Sequence, residues 1–370
     1  MRTSVPEGLR VPHLDPRRFF GAAELARNAR YERFLRWDAL AALAAQFLAL
    51  ALLARRARLH RGPALVRASV LGLAAIGVAW LAAFPFAAGA HWWNVRHGIA
   101  RSGWGEWLLA RLPGLGAELA AGAVLALVFV ALARRLPQRW WLGAWALTVA
   151  IAAGFAFLEP YAGGAAPLHR PRLAVEVRRL ERIEGAERVR LRVDRVHDVT
   201  RAANAEAVGF GPTATVVYWD TLFREGFTRR ELSVLSAHEL AHHRRLHILK
   251  GLAWFALLAL PALLLLSRLV RLDDPAQVPR AALVLLVLQL LTLPLANAIS
   301  RRYEREADWN ALRATHDPTA AVSLFRRFAA TSLDDPQPPW WNRILLEDHP
   351  GLLERIELAR SLEAGSRAGS

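Results

Sequence analysis

The chain has no cysteine, one lysine (Lys250) and one methionine in 370 residues. Without cysteine there is no disulfide framework, no thiol nucleophile and no cysteine metal ligand. A small disulfide-stapled secreted scaffold is therefore excluded. Charged residues are only 22%, against 54% hydrophobic, and the mean hydropathy is +0.19. A positive mean alongside 48 basic and 32 acidic residues implies apolar blocks separated by charged ones. That excludes intrinsic disorder and an ordinary one-core soluble protein. With lysine almost absent, arginine carries the formal charge of +16. Such a charge can mark a nucleic-acid binder, but no RNP, zinc-finger or helix-turn-helix pattern accompanies it. Arginines flanking apolar runs are the better account, so the expected partner is a lipid bilayer and no nucleic acid.

Six apolar runs stand out, at 37–54, 66–90, 115–133, 140–158, 251–267 and 281–299. Each is near the ~20 residues that cross a ~30 Å hydrocarbon core as a helix. They lack the period-2 alternation of a barrel. Trp37, Trp92, Trp93, Trp140, Trp141 and Trp254 lie at or near their ends, where an interfacial aromatic belt belongs. The first 36 residues are polar and arginine-rich, and the first apolar run begins too late for a cleavable signal peptide.

The polar parts are 159–250 and 300–370. RVRLRVDRVHDV (188–199) alternates as a half-exposed strand. ATVVYWD (214–220) is a second strand, and GFGP (209–212) marks a turn between them. The expected fold is mainly α, a polytopic membrane protein of about six transmembrane helices with a small α+β domain. The expected divisions are a polar N-terminal segment (1–36), a four-helix membrane domain (37–158), and a third domain (159–362) that includes the last two spans. A disordered tail (363–370) follows.

The chemistry-bearing stretch is TRRELSVLSAHELAHHRRLH (228–247). Thr228 and Glu231 form a capping-box pattern that starts a helix. On that helix His238 and His242, four residues apart, share one face. Two imidazoles at that spacing can hold one Zn²⁺, and Glu239 beside the first is placed as general base. A third ligand is required, because catalytic zinc keeps three protein ligands and one open position. The metzincin solution needs Gly at 245 and His at 248, where the chain has Arg245 and Ile248. His247 is off register and reads as an ordinary polar residue near the membrane end of the helix. SRRYEREADWNAL (300–312) reads as a helix with Glu304 and Asp308 on one face. Glu304 is taken as the ligand and Asp308 as a carboxylate orienting the site. Glu306, on a different face, is the other candidate ligand.

HELAH before a span, then a span pair and SRRYEREAD, resembles the type-1 CAAX prenyl proteases. These are integral-membrane zinc metalloproteases related to the HtpX-like proteases. NAEAVGFG with VVYWDTL (204–222), HPGLLER (349–355) and RHG (96–98) also resemble that family's segments. The resemblance implies one zinc on His238, His242 and Glu304, with Glu239 as base. It implies Asn204 and Ala205 beside the substrate, next to an edge strand that pairs with an extended peptide. It implies His349 and Arg355 near the metal, holding Asp308 or the developing oxyanion. The family's eukaryotic members have seven spans, and this chain shows six.

The expected function is zinc-dependent hydrolysis of peptide bonds in membrane-associated substrates, prenylated or misfolded. The alternative is a non-proteolytic scaffold or transporter with a zinc site. The scarcity of lysine among abundant Ala, Leu and Arg suggests a GC-rich bacterial genome. The arginine bias favours a multi-pass inner-membrane protein with its catalytic domain facing the cytoplasm.

Overall fold

The computed structural model describes residues 3–56 and 61–368, with side chains to residue 362. Among the described residues, six helices are long and apolar enough to cross a membrane. They are α1 (Ala22–Arg56), α2 (Ala64–Arg96), α3 (Trp104–Arg135), α4 (Trp140–Ala162), α8 (His247–Leu269) and α9 (Val278–Thr315). The apolar runs mark where these helices meet lipid, not where they end. Nothing in 300–315 breaks a helix, so α9 continues unbroken for 38 residues and delivers its polar last third into the polar domain. α1 likewise begins 15 residues before its apolar run, and its buried Asn28 donates to the carbonyls of Ala329 and Asp334.

Leu81, Phe155 and Leu291 are more than 60% exposed, an arrangement that suits lipid and not water. Pro85, Pro113, Pro261 and Pro294 sit inside membrane helices, where neighbours can compensate the lost hydrogen bond. Without a hydrophobic force between helices in lipid, small residues set the close approaches. Gly72 of α2 faces Gly122 of α3 so closely that a Cβ at Gly72 would lie 2.4 Å from the Gly122 carbonyl oxygen. At the end far from the polar domain, Phe129, Trp140, Leu263, Leu266 and Val278 knit α3, α4, α8 and α9 together.

The polar domain carries β1 (Ala166–Pro167), α5 (Pro171–Glu184), β2 (Arg190–Asp194), β3 (Ala205–Val208), β4 (Thr215–Trp219), α6 (Thr221–Arg224) and α7 (Arg229–Arg244). After α9 come α10 (Pro318–Ser332), α11 (Trp340–Leu345) and α12 (Leu352–Ala368). The sheet order is β1-β2-β4-β3, with β2 parallel to β4 and β3 antiparallel to β4, leaving β3 at the edge. The expected strand over 188–199 is cut short at Asp194, because Asp220 accepts from the Val196 and His197 amides and turns the chain there. α12 runs through Ala368, and residues 369–370 of the expected tail lie outside the described residues.

The domain core packs Val216 and Tyr218 of β4 and Leu180 of α5 against Leu235 and Leu240 of α7, with Phe325 of α10 and Ile356 of α12. Loop 97–103 joins the two halves. The Arg101 amide donates to the Val199 carbonyl, the Arg201 amide donates to that of Ile99, and His97 packs on Trp93.

Candidate metal centre

α7 starts where the capping-box pattern puts it. Glu231 N–H donates to Thr228 Oγ1 at 3.3 Å, and Thr228 N–H donates to Glu231 Oε2 at 2.6 Å. The same carboxylate, 1% exposed, accepts from Ser323 and Arg327 of α10, so the cap also anchors a neighbouring helix. Ser236 is tied to Tyr218 of β4 at 2.8 Å. The sheet, α7 and α10 therefore form one rigid frame, and the α7 face carrying His238 and His242 is turned toward α9.

There Glu304 meets the two rings. His238 Nε2 lies 3.2 Å from Glu304 Oε2, His242 Nε2 lies 3.4 Å from Glu304 Oε1, and the two Nε2 atoms are 3.1 Å apart. One turn further along α9, Asp308 Oδ1 is 2.9 Å from His238 Nδ1. Arg355 of α12 donates to both Asp308 oxygens, at 2.8 and 2.6 Å, and its guanidinium lies over the Phe325 ring. Removing one partner of such a buried pair costs about 3–5 kcal/mol. His349 Nε2 is 3.4 Å from Glu304 Oε2, and its Nδ1 is 2.7 Å from Asp348.

These groups fit a divalent cation. His238 gives its Nδ1 proton to Asp308, which leaves a lone pair on Nε2. Glu304 Oε2 is buried and has no partner in hydrogen-bond geometry, although two imidazoles approach it within 3.4 Å. Lone pairs thus converge where no protein donor satisfies them, within 4.8 Å of one another. A His₂Glu set is one that catalytic zinc takes, with a fourth position left open.

Glu239 lines a cleft of about 340 Å³ with Asn204, Ala205, His349 and Arg355. Burial pushes its carboxyl up to about 7. The nearby Glu304 carboxylate adds to this. Ala205 pairs with Tyr218 at the start of edge strand β3, and the Asn204 carbonyl accepts from the Trp219 amide. On the bilayer side, a second cavity of about 800 Å³ between α3, α4, α8 and α9 reaches His242 and Glu304.

Of the residues singled out in the sequence, His238, His242, Glu304, Asp308, His349 and Arg355 thus touch one another in a chain of contacts, Glu239, Asn204 and Ala205 line the adjoining cleft, and Glu306 points elsewhere, to Arg245 and His247. Two groups of neighbours were missed. Glu32 from α1, with Asp334, Asp335 and Glu347, makes an acidic wall of the cleft, and Arg36 bridges Glu32 to Asp335. Some 300 residues separate these partners, so no local pattern joins them. His247, read as an ordinary polar residue, is instead 4% exposed and touches His242. The chain breaks between α7 and α8 and turns the ring inward, which no periodicity in the motif signals.

Fold and site together define a polytopic helical protein with a zincin-type centre at the lipid-facing end of its polar domain. The model for peptidase family M48 matches residues 171–363, and the chain belongs to that family. It is 31% identical over 258 residues to the "Uncharacterized metalloprotease YhfN" of Bacillus subtilis (strain 168), a match over 64% of this chain and 60% of that protein's length. The fold resembles the crystal structure of S. mikatae Ste24p with a TM-score of 0.70 at 16% identity, over 92% of this chain and 89% of that one.

Proposed function

We propose that the protein is a membrane-embedded zinc endopeptidase with His238, His242 and Glu304 as ligands. The observation that carries this reading is the convergence of two Nε2 atoms and an unsatisfied carboxylate beside Glu239. Zinc held there would supply Lewis acidity toward a peptide carbonyl and toward water. Glu239 takes the proton of the attacking water and returns it to the leaving amine. Edge strand β3 pairs with the backbone of an extended substrate, with Asn204 and Ala205 alongside. His349 donates to the developing oxyanion. Arg355 acts through Asp308, holding the carboxylate that orients His238.

The meeting of a polar cleft and an apolar, bilayer-facing cavity at one set of ligands supports membrane-associated substrates, misfolded or lipid-modified. The arginine pattern supports a peptidase domain in the cytoplasm under a bacterial inner membrane.

The test compares wild type with Glu239→Gln in detergent, on casein and on a membrane-anchored peptide. The expected loss of cleavage is roughly 10²–10⁴-fold at unchanged zinc content. Full activity in Glu239→Gln would remove it as the base. Zinc without cleavage in either form would favour a scaffold or transporter.

A further inference from the structure

One ligand, His238, has an evident orienting partner in Asp308, and the other has a less direct one. His242 Nδ1, the nitrogen turned away from Glu304, lies 3.2 Å from His247 Nδ1. His247 Nε2 in turn lies 3.3 Å from Glu306 Oε2. Glu306, 2% exposed, is held on its other oxygen by Arg245 Nε at 2.8 Å and by the Ser4 amide at 2.9 Å. The His247 ring stacks on Tyr303, centroids 4.6 Å apart and planes 15° off parallel.

This contact requires a broken helix. Five residues along a continuous α-helix amount to about 500°, so His247 would sit roughly 140° around the axis from His242. Leu246 breaks it, with a left-handed φ of 56° and the residue 54% exposed. A leucine in that conformation is unfavourable by about 1–2 kcal/mol. The backbone accepts the strain, and the turn it makes brings His247 back against His242.

The proton positions along this chain follow from the partners. Glu306 receives N–H groups from Arg245 and Ser4 and acts as an acceptor, so the proton between it and His247 belongs to His247 Nε2. In a neutral ring His247 Nδ1 is then an acceptor. The proton between the two imidazoles therefore belongs to His242 Nδ1. His242 Nε2 is left with its lone pair directed at Glu304 and the metal position. Any other neutral tautomer of His247 sets lone pair against lone pair at Glu306.

We propose that Glu306 and His247 form a positioning relay that fixes the tautomer and ring orientation of ligand His242. Asp308, backed by Arg355, does the same directly for His238. Three carboxylates at alternate positions of α9 then serve one centre: Glu304 on the metal, Asp308 on one imidazole, and Glu306 on the other through His247.

The relay rests on the metal-centre reading given above, and the test separates the two. Two substitutions at His247 divide tautomer control from packing. His247→Phe keeps a ring to stack on Tyr303 and removes both nitrogens. His247→Gln loses the ring and keeps a carbonyl that can accept from His242 Nδ1–H. Zinc affinity is read by competition with a chromophoric chelator, and ligand geometry by the visible spectrum of the cobalt(II)-substituted protein. The relay predicts affinity about 10–100-fold weaker in His247→Phe, with a shifted cobalt spectrum, and a smaller loss in His247→Gln. Glu306→Gln, which keeps the side-chain volume, is expected to fall between wild type and His247→Phe. Affinity in His247→Phe equal to or tighter than in His247→Gln would overturn the relay. So would a Glu306→Gln protein indistinguishable from wild type, should either His247 variant not fold. A wild type that binds no zinc, or binds it equally after His242→Ala, would instead overturn the metal centre itself.

Discussion

Asp220 illustrates how a single side chain fixes the frame around the site. Its carboxylate accepts from the Val196 and His197 amides and faces the His197 ring, holding the loop whose Val199 carbonyl receives the Arg101 amide. Burial alone would raise its pKa. The Val196 amide and the His197 ring outweigh burial and hold it below the usual carboxylate range. A depressed carboxyl stabilises the fold above its unfolded pKa of ~3.9, and that stability is lost as pH falls through the folded value. Asp220→Asn is therefore expected to melt lower than wild type at neutral pH, with the gap closing below about pH 4. Thermal melts across that range check this, and a deficit independent of pH would contradict it. The residues legible in sequence were those whose information sits within one helical turn: Thr228 with Glu231, and His238, Glu239 and His242. His247 stayed hidden because its role depends on the break at Leu246.

At the scale of elements, the close pairing of α2 and α3 depends on glycine at both faces of the crossing. Gly72→Val would drive a branched side chain into the Gly122 carbonyl and the Ala126 methyl, so the helices must part. Overpacking of this kind costs about 1–3 kcal/mol. A lowered thermal midpoint in detergent, with zinc per chain unchanged at the start of the melt, is expected; an unaltered midpoint would show that the helices do not pack this way. The apolar runs announced the six candidate membrane helices among the described residues because a stretch of that length and composition has few other uses. Their polar extensions were not announced, since once lipid contact ends, only the absence of a breaker says that α9 continues to Thr315. The sheet was half legible. β2 and β4 alternate or bury a continuous run. β3, with four residues and a burial pattern that does not alternate, and the two-residue β1 carry no period to detect.

For the whole molecule, the helix order puts the loop at Arg61 and the one at Gln138 on the face of the membrane opposite the peptidase domain. Arg134 reaching the Asp273 carbonyl adds the α8–α9 turn to that face. A chain without native cysteine suits single-cysteine labelling. With a membrane-impermeant maleimide on intact cells, Arg61→Cys and Gln138→Cys are expected to label and Glu187→Cys only after permeabilisation; the reverse pattern would invert the cytoplasmic orientation. The arrangement sets the metal position where a polar cleft and a bilayer-facing cavity meet, and every functional assignment depends on that position holding metal. The most direct test is the zinc content of protein purified without added metal, wild type against Glu304→Ala. The account predicts about one zinc per wild-type chain, with an X-ray absorption edge showing two imidazoles and a carboxylate, and little or none in Glu304→Ala. Equal zinc in both would contradict it.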